Sequence, residues 1–198
     1  IAMNQTGLNN IFKMVSESYH GDYYYRKPRI DFDLLEKHSE GVIALSACLG
    51  GVYAGCYWQN RDEGEEHVLW AMRKLTEKMI KIFGDRWYPE IQWNGVPEQH
   101  ELNTYIIQIA QEYGLKLVST GDSHYPTPDA WKDRELYKRL GWLGRGKPEW
   151  LDMNLPTSVQ EMEYELYPKN GEQMWQSYKQ YSEECGFEYN DDLVRQSI

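Results

Sequence analysis

Apolar residues recur at helical spacing in several parts of the chain. The pattern predicts helices over residues 65–83 and 97–113, each followed by a glycine that suits a helix C-terminus. A helix over residues 8–19 is also predicted, and its buried face would consist of Leu8, Ile11, Phe12, Val15 and Tyr19. Asp33, which precedes Leu34 in a capping-box arrangement, begins a short helix that ends before Gly41.

Three short apolar runs lie between these helical patterns. Residues 42–46, 87–93 and 115–120 are predicted to be strands, the first of them fully buried. Strands that alternate with helices are typical of a parallel β/α fold, whose crossovers are right-handed. The fold class predicted for this part of the chain is therefore α/β.

The pattern changes after residue 140. The predicted helix before this point passes through Leu136 and Leu140. Residues 141–157, which follow it, are rich in Gly, Pro and Trp and are interpreted as an irregular connector. Residues 158–167, 172–184 and 191 onward are predicted to be helices with no strand between them. The expected organisation is a β/α domain over 1–140, a connector over 141–157 and a mainly helical segment over 158–198.

Composition narrows the classes of function. The formal net charge of −10 excludes a broad basic surface for the phosphate backbone of nucleic acid, so any such contact must be local. The three cysteines have no paired spacing, which argues against a disulfide framework and favours a reducing, cytoplasmic location. No apolar run is long enough to span a bilayer. The 16 tyrosines and 8 tryptophans are interpreted mainly as packing residues.

Candidate metal ligands follow the predicted strands. Asp122 and His124 come directly after the strand 115–120, Cys48 follows the strand 42–46, and Glu90 lies in the strand 87–93. Because the carboxyl ends of parallel strands meet on one rim, we expect these side chains to converge. Thiolate and imidazole favour zinc, while carboxylate also accepts manganese or magnesium.

Each candidate also has an ordinary structural explanation. Asp122 could serve as a turn former, Cys48 as a small buried apolar residue, and Glu90 as part of the polar face of an edge strand next to Pro89. The other histidines lie on predicted helices or at their ends, where surface or capping roles are expected; they are His20, His38, His67 and His100.

Several motifs, in order, carry a family resemblance. They occupy residues 24–31, 40–50, 90–92, 95–99 with Asn103, 121–125 and 129–130. Together they resemble the polymerase and histidinol phosphatase (PHP) domain of bacterial DNA polymerase III alpha subunits. The resemblance covers about residues 1–135, with a weaker similarity over 158–185. Asp133 departs from the pattern, because many relatives carry His there.

The resemblance implies a distorted (β/α)7 barrel, of which this chain would hold part, with divalent metals at its strand ends. In members with every ligand the site is associated with 3′–5′ exonuclease proofreading. By motif, Cys48, Asp122 and His124 match the last three ligand positions. The other ligands would precede Ile1, and the palm with its magnesium would follow Ile198, so the chain alone is expected to be inactive.

The resemblance also implies a function for the parent protein. It would be a DNA-directed DNA polymerase that uses DNA and deoxynucleoside triphosphates, together with a sliding clamp and other replisome subunits. From the residues themselves, Glu90 is a candidate catalytic acid in the pocket or a residue that supports the ligands. Arg29 is a candidate phosphate contact, although an ordinary surface arginine is the more frequent case. The alternatives are a stand-alone PHP phosphatase acting on a small phosphate monoester, and a vestigial structural domain without metal.

Overall fold

Helices dominate the described part of the chain. The computed structural model describes residues 1–144 and 165–198. Its helices are α1 (Gln5–Ser18), α2 (Phe32–Lys37), α3 (Val52–Asn60), α4 (Glu65–Phe83), α5 (Pro97–Tyr113), α6 (Trp131–Gly144), α7 (Gly171–Cys185) and α8 (Asp191–Ser197). The predicted helix that begins at Ser158 lies mostly outside the described residues. So does the predicted connector, except for Gly141–Gly144, which continue α6.

The described strands are shorter than predicted. They are β1 (Tyr24–Tyr25), β2 (Lys27–Pro28), β3 (Ala44–Leu45), β4 (Trp87–Tyr88), β5 (Glu90–Gln92) and β6 (Val118–Thr120). The predicted strand over 87–93 is divided at Pro89, which has no N–H to donate to a ladder. The described strands form three two-stranded sheets, β1–β2, β3–β4 and β5–β6. The fold is therefore mixed helix and strand, with the parallel pairing expected of a β/α fold at β3–β4.

The chain divides into two compact units. The first comprises residues 1–90 and 105–117, and the second comprises 91–104 and 118–198. In the first unit α3 and α4 pack together around the buried Tyr53, whose hydroxyl lies 2.7 Å from the Thr76 hydroxyl. The Trp87 indole donates to Tyr53 Oη at 3.3 Å, which links this helical pair to β4.

Aromatic side chains fill the second unit. The ring of Trp93 lies 4.8 Å from that of Tyr178 and 5.0 Å from that of Tyr189, measured between centroids. His100 is fully buried beside them. A smaller cluster joins Tyr125, Trp131 and Leu166. These aromatic residues therefore pack the interior, as the composition indicated.

Two local predictions are wrong, and one helix was missed. The buried residues of α1 are Gly7, Asn10, Met14 and Ser18. Its predicted apolar face is largely exposed, with Phe12 59% and Val15 54% accessible. Helix α2 is capped by Asp31 and not Asp33, because the Asp31 carboxylate accepts from Leu34 N at 2.8 Å. Helix α3 was not predicted at all.

No helix in the described ranges has the length and hydropathy needed to cross a membrane.

Candidate metal centre

Cys48 lies in a tight loop between β3 and α3. β3 pairs in parallel with β4, and Ser46 N continues that pairing by donating to Tyr88 O at 3.2 Å. The loop closes on itself, because Gly51 N donates to Cys48 O at 2.7 Å. A Cβ at Gly51 would collide with the Ser46 carbonyl oxygen, so this turn requires glycine.

Ala47, immediately before Cys48, has a φ of +63°. This is the left-handed region, which costs a residue with a Cβ about 1 kcal/mol or more. The strained conformation turns the chain sharply after the strand and presents Cys48 from the loop. The Cys48 side chain is half-buried, and its Sγ accepts from Gly50 N at 3.5 Å.

Glu90 holds this loop from β5. Its carboxylate Oε2 accepts from Ala47 N at 2.9 Å, and its own N donates to Ser46 Oγ at 2.8 Å. The residue is buried, with 8% of its surface accessible. Glu90 therefore contacts the backbone that carries Cys48, whereas its role as a catalytic acid stays a prediction.

Asp122 and His124 lie in the second unit, in the loop after β6. Asp122 has a φ of +46°, a conformation that Asp tolerates better than most residues. The backbone N–H groups of His124 and Tyr125 both donate to Leu166 O, at 2.6 and 3.1 Å. Leu166 N in turn donates to Tyr125 Oη at 3.0 Å, so the loop is anchored from both directions.

The ring of His124 has the tautomer of a metal ligand. Its Nδ1 lies 2.6 Å from the backbone oxygen of Asp122. Because a carbonyl only accepts, Nδ1 must carry the proton, which leaves the lone pair on Nε2. Metal-binding histidines are commonly oriented by such a bond at the other ring nitrogen. Carboxylate and imidazole are both ligands of divalent cations. Both side chains are also accessible to some degree, because His124 is exposed and Asp122 is half-buried.

A complete ligand set is not assembled within the described residues. Across the ranges 1–144 and 165–198, no three His, Cys, Asp or Glu side chains form a group that could hold an ion. Cys48 belongs to the first unit, while Asp122 and His124 belong to the second. The convergence of all three on one ion therefore stays a prediction.

Arg29 lies beside the β1–β2 hairpin of the first unit. It is exposed, and its guanidinium carbon is 5.5 Å from the centre of the Tyr25 ring. It also lines a cavity of about 640 Å³, together with Glu17, Asp22 and Asp31. The position of Arg29 does not test its predicted contact with phosphate, which stays a prediction.

Two of the remaining histidines are buried: His38 is the C-cap of α2, in line with a capping role, whereas His100 lies within α5 and has neither a surface nor a capping role. His38 Nε2 lies 3.2 Å from a carboxylate oxygen of Glu17. Both ring nitrogens of His100 have a hydrogen-bond partner. Nε2 lies 2.8 Å from Asn94 O, and Nδ1 lies 3.0 Å from Tyr189 Oη. Neither belongs to a metal-binding group in the described part of the chain.

The sequence did not identify Ser46 and Ala47 as parts of the Cys48 loop. Their one signal is position, directly after an apolar run and directly before a candidate ligand. The long-range bonds to Glu90 have no signature in the sequence, because 43 residues separate Glu90 from Ala47.

Comparison with known proteins gives a consistent result. Residues 1–94 match the family model described as PHP domain. The chain is 43% identical over 129 residues to DNA polymerase III subunit alpha of Aquifex aeolicus, covering 65% of this chain and 10% of that protein. It is 33% identical over 175 residues to the protein of the same name from Borreliella burgdorferi, covering 88% and 14%. It is 32% identical over 185 residues to the protein of the same name from Treponema pallidum, covering 92% of this chain and 14% of that protein. The chain thus spans between a tenth and a seventh of the length of these relatives.

Proposed function

The chain contains a PHP domain and is a homologue of DNA polymerase III alpha subunits, and we propose on this basis that it is part of a replicative DNA-directed DNA polymerase. The observation that carries the proposal is the similarity along most of the chain to one kind of polymerase subunit. Template-directed synthesis from deoxynucleoside triphosphates would belong to the whole protein, with a sliding clamp and other replisome subunits as partners.

The PHP domain would supply a divalent-metal site. Cys48, Asp122 and His124 would be ligands, for zinc or alternatively manganese or magnesium. When bound, such ions activate water and stabilise the oxygens of a phosphodiester during hydrolysis, which suits a 3′–5′ exonuclease. The bond from His124 Nδ1 to the Asp122 carbonyl supports this assignment, because it leaves Nε2 available as a ligand.

Other groups would support this site. Glu90 would fix the Cys48 loop through Ala47 N, and Arg29 would contact a phosphate of the substrate. The proposed architecture is part of a distorted (β/α)7 barrel over 1–140, with residues 158–198 as a helical segment that leads toward the palm. The proposed location is the cytoplasm.

A structural PHP domain without metal is the second candidate. It is favoured by one observation, the lack of any three-residue ligand group within residues 1–144 and 165–198. In that case the domain would brace the polymerase and have no exonuclease activity. The stand-alone phosphatase gains no support, because the relatives described above are polymerase subunits.

A double variant of the polymerase that contains this chain would separate these functions. Asp122→Ala with His124→Ala should abolish metal-dependent removal of nucleotides from a 3′-labelled strand and leave primer extension within about twofold. Unchanged exonuclease activity in this variant would rule out the proposed ligands. A parent polymerase that retains no metal and no exonuclease would favour the structural candidate.

A further inference from the structure

The β1–β2 hairpin concentrates positive charge on an acidic chain. Tyr25 pairs with Lys27 across the two strands, and Tyr24 pairs with Pro28. Arg26 forms the tip of the hairpin with a φ of +61°. Arg29 N donates to Tyr23 O at 3.1 Å and closes its base. Residues 23–29 therefore hold three cations and no acid in a protein of net charge −10.

Two of these cations converge on one aromatic ring. The guanidinium carbons of Arg26 and Arg29 lie 5.4 and 5.5 Å from the centre of the Tyr25 ring. Within the part of the chain that the structure describes, none of the ion pairs includes Arg26, Lys27 or Arg29. An external anion at this surface would be attracted by both charges.

The hairpin also exposes aromatic surface. Tyr25 is 60% accessible and Tyr24 49% accessible. Tyr24 stacks on Tyr19 of the α1 end, with 6.0 Å between centroids and 20° between planes. Exposed aromatic rings beside cations are the two components of a surface that binds single-stranded nucleic acid, because the rings stack with bases and the cations contact phosphates.

Acidic side chains lie near Arg29, at the base of the hairpin. Glu17, Asp22 and Asp31 line the cavity that Arg29 also borders. Asp31 is engaged in capping α2, and Glu17 lies 3.4 Å from Lys37 Nζ. The hairpin segment 23–29 itself contains no acid, so a polyanion there would meet Arg26, Lys27 and Arg29.

We propose that the β1–β2 hairpin binds single-stranded DNA, with phosphates at Arg26, Lys27 and Arg29 and a base stacked on the exposed part of the Tyr25 ring. A duplex would supply phosphates and no free base face, so single strands should bind more tightly. The proposal extends the proposed polymerase function to a specific contact surface. It requires no metal ion, so its outcome is independent of the metal site.

Fluorescence anisotropy of a labelled oligothymidylate with the full chain, in EDTA, tests the proposal. Three neutralised phosphates predict a slope of about −2 for log affinity against log salt, hence a loss of about 20-fold between about 50 and about 200 mM salt. Arg26→Gly with Arg29→Ala should bring the slope near about −0.7. Glycine suits the left-handed tip, so the turn is retained.

Two further comparisons distinguish a specific surface from general charge. Lys13→Ala with Lys116→Ala removes the same charge from exposed sites elsewhere and should leave affinity within about twofold. Tyr25→Ala should weaken binding about fivefold or more, and Tyr25→Phe should restore it. Equal losses in the two double variants, no measurable binding, or duplex binding as tight as single-strand binding would each overturn the proposal.

Discussion

The Glu90 carboxylate accepts a hydrogen bond from the backbone N–H of Ala47 at 2.9 Å, one residue before Cys48. This bond fixes the left-handed residue that turns the chain after β3. A buried carboxylate that satisfies a strained peptide can hold a ligand loop without touching the ligand. The geometry around Cys48 therefore depends on a side chain 43 positions from Ala47.

Glu90→Ala should destabilise the protein by about 1–3 kcal/mol, because the part-buried bond from Ala47 N to this carboxylate would be lost. Glu90→Gln keeps an acceptor oxygen and should cost less. Urea unfolding monitored by tryptophan fluorescence measures both changes. Glu40→Ala is a matched control on an exposed side chain, for which we expect a change within about 0.5 kcal/mol. Equal unfolding of the Glu90→Ala and Glu40→Ala variants would show that the bond is not structural.

Gly51→Ala should destabilise the first unit by about 1–3 kcal/mol, because its Cβ would collide with the Ser46 carbonyl oxygen in the Cys48 loop. Gly55→Ala is the control. It lies within α3 with no atom within 4 Å of the added Cβ, so helix propensity should stabilise the protein by up to about 1 kcal/mol. Thermal unfolding of the two variants should shift in opposite directions. A shift in the same direction would contradict the described loop.

Stability should fall as the pH drops below about 6.5, the ordinary pKa of histidine. Burial lowers the pKa of His100, and the bond to Asn94 O opposes this effect only in part. Between the folded and the unfolded pKa of His100, the unfolded chain binds more protons than the folded chain. The contribution of His100 to the free energy of unfolding is therefore fully present above about pH 6.5 and decreases below it. Urea unfolding between about pH 5 and about pH 8 measures the slope.

His100→Gln should reduce this pH dependence even if the variant is less stable at every pH. His67→Gln, at an exposed position, should retain the slope of the unsubstituted chain. If the His100→Gln variant keeps the full slope, protonation of His100 does not drive the effect.

Helices α4 and α5 could be predicted well because their apolar spacing is local, whereas α3 was missed. α4 and α5 begin and end as predicted, with Gly84 and Gly114 after them. The face of α1 could not be predicted, since its apolar residues Phe12 and Val15 are exposed and the polar Asn10 is buried. Asn10 Nδ2 donates to Glu40 O at 2.9 Å, a tertiary contact that periodicity does not encode.

Strand lengths and site geometry were less accessible from the sequence. An apolar run marks a buried segment, yet only residues with partners form a ladder, so the run over 42–46 yields the two-residue β3. The positions of Cys48, Asp122 and His124 after strands were predictable. The support from Glu90 and from Leu166 was not, because these contacts join distant parts of the chain.

Bound zinc in the polymerase that contains this chain tests most directly the proposal that Cys48, Asp122 and His124 are metal ligands. After loading and desalting, elemental analysis should find bound zinc, because thiolate, carboxylate and imidazole are all zinc ligands. The Cys48→Ala, Asp122→Ala, His124→Ala variant should lose it. A control with Cys185→Ala, Asp62→Ala and His67→Ala removes the same side-chain types and should retain it. No zinc in the unsubstituted polymerase, or equal zinc in the two triple variants, would contradict the assignment.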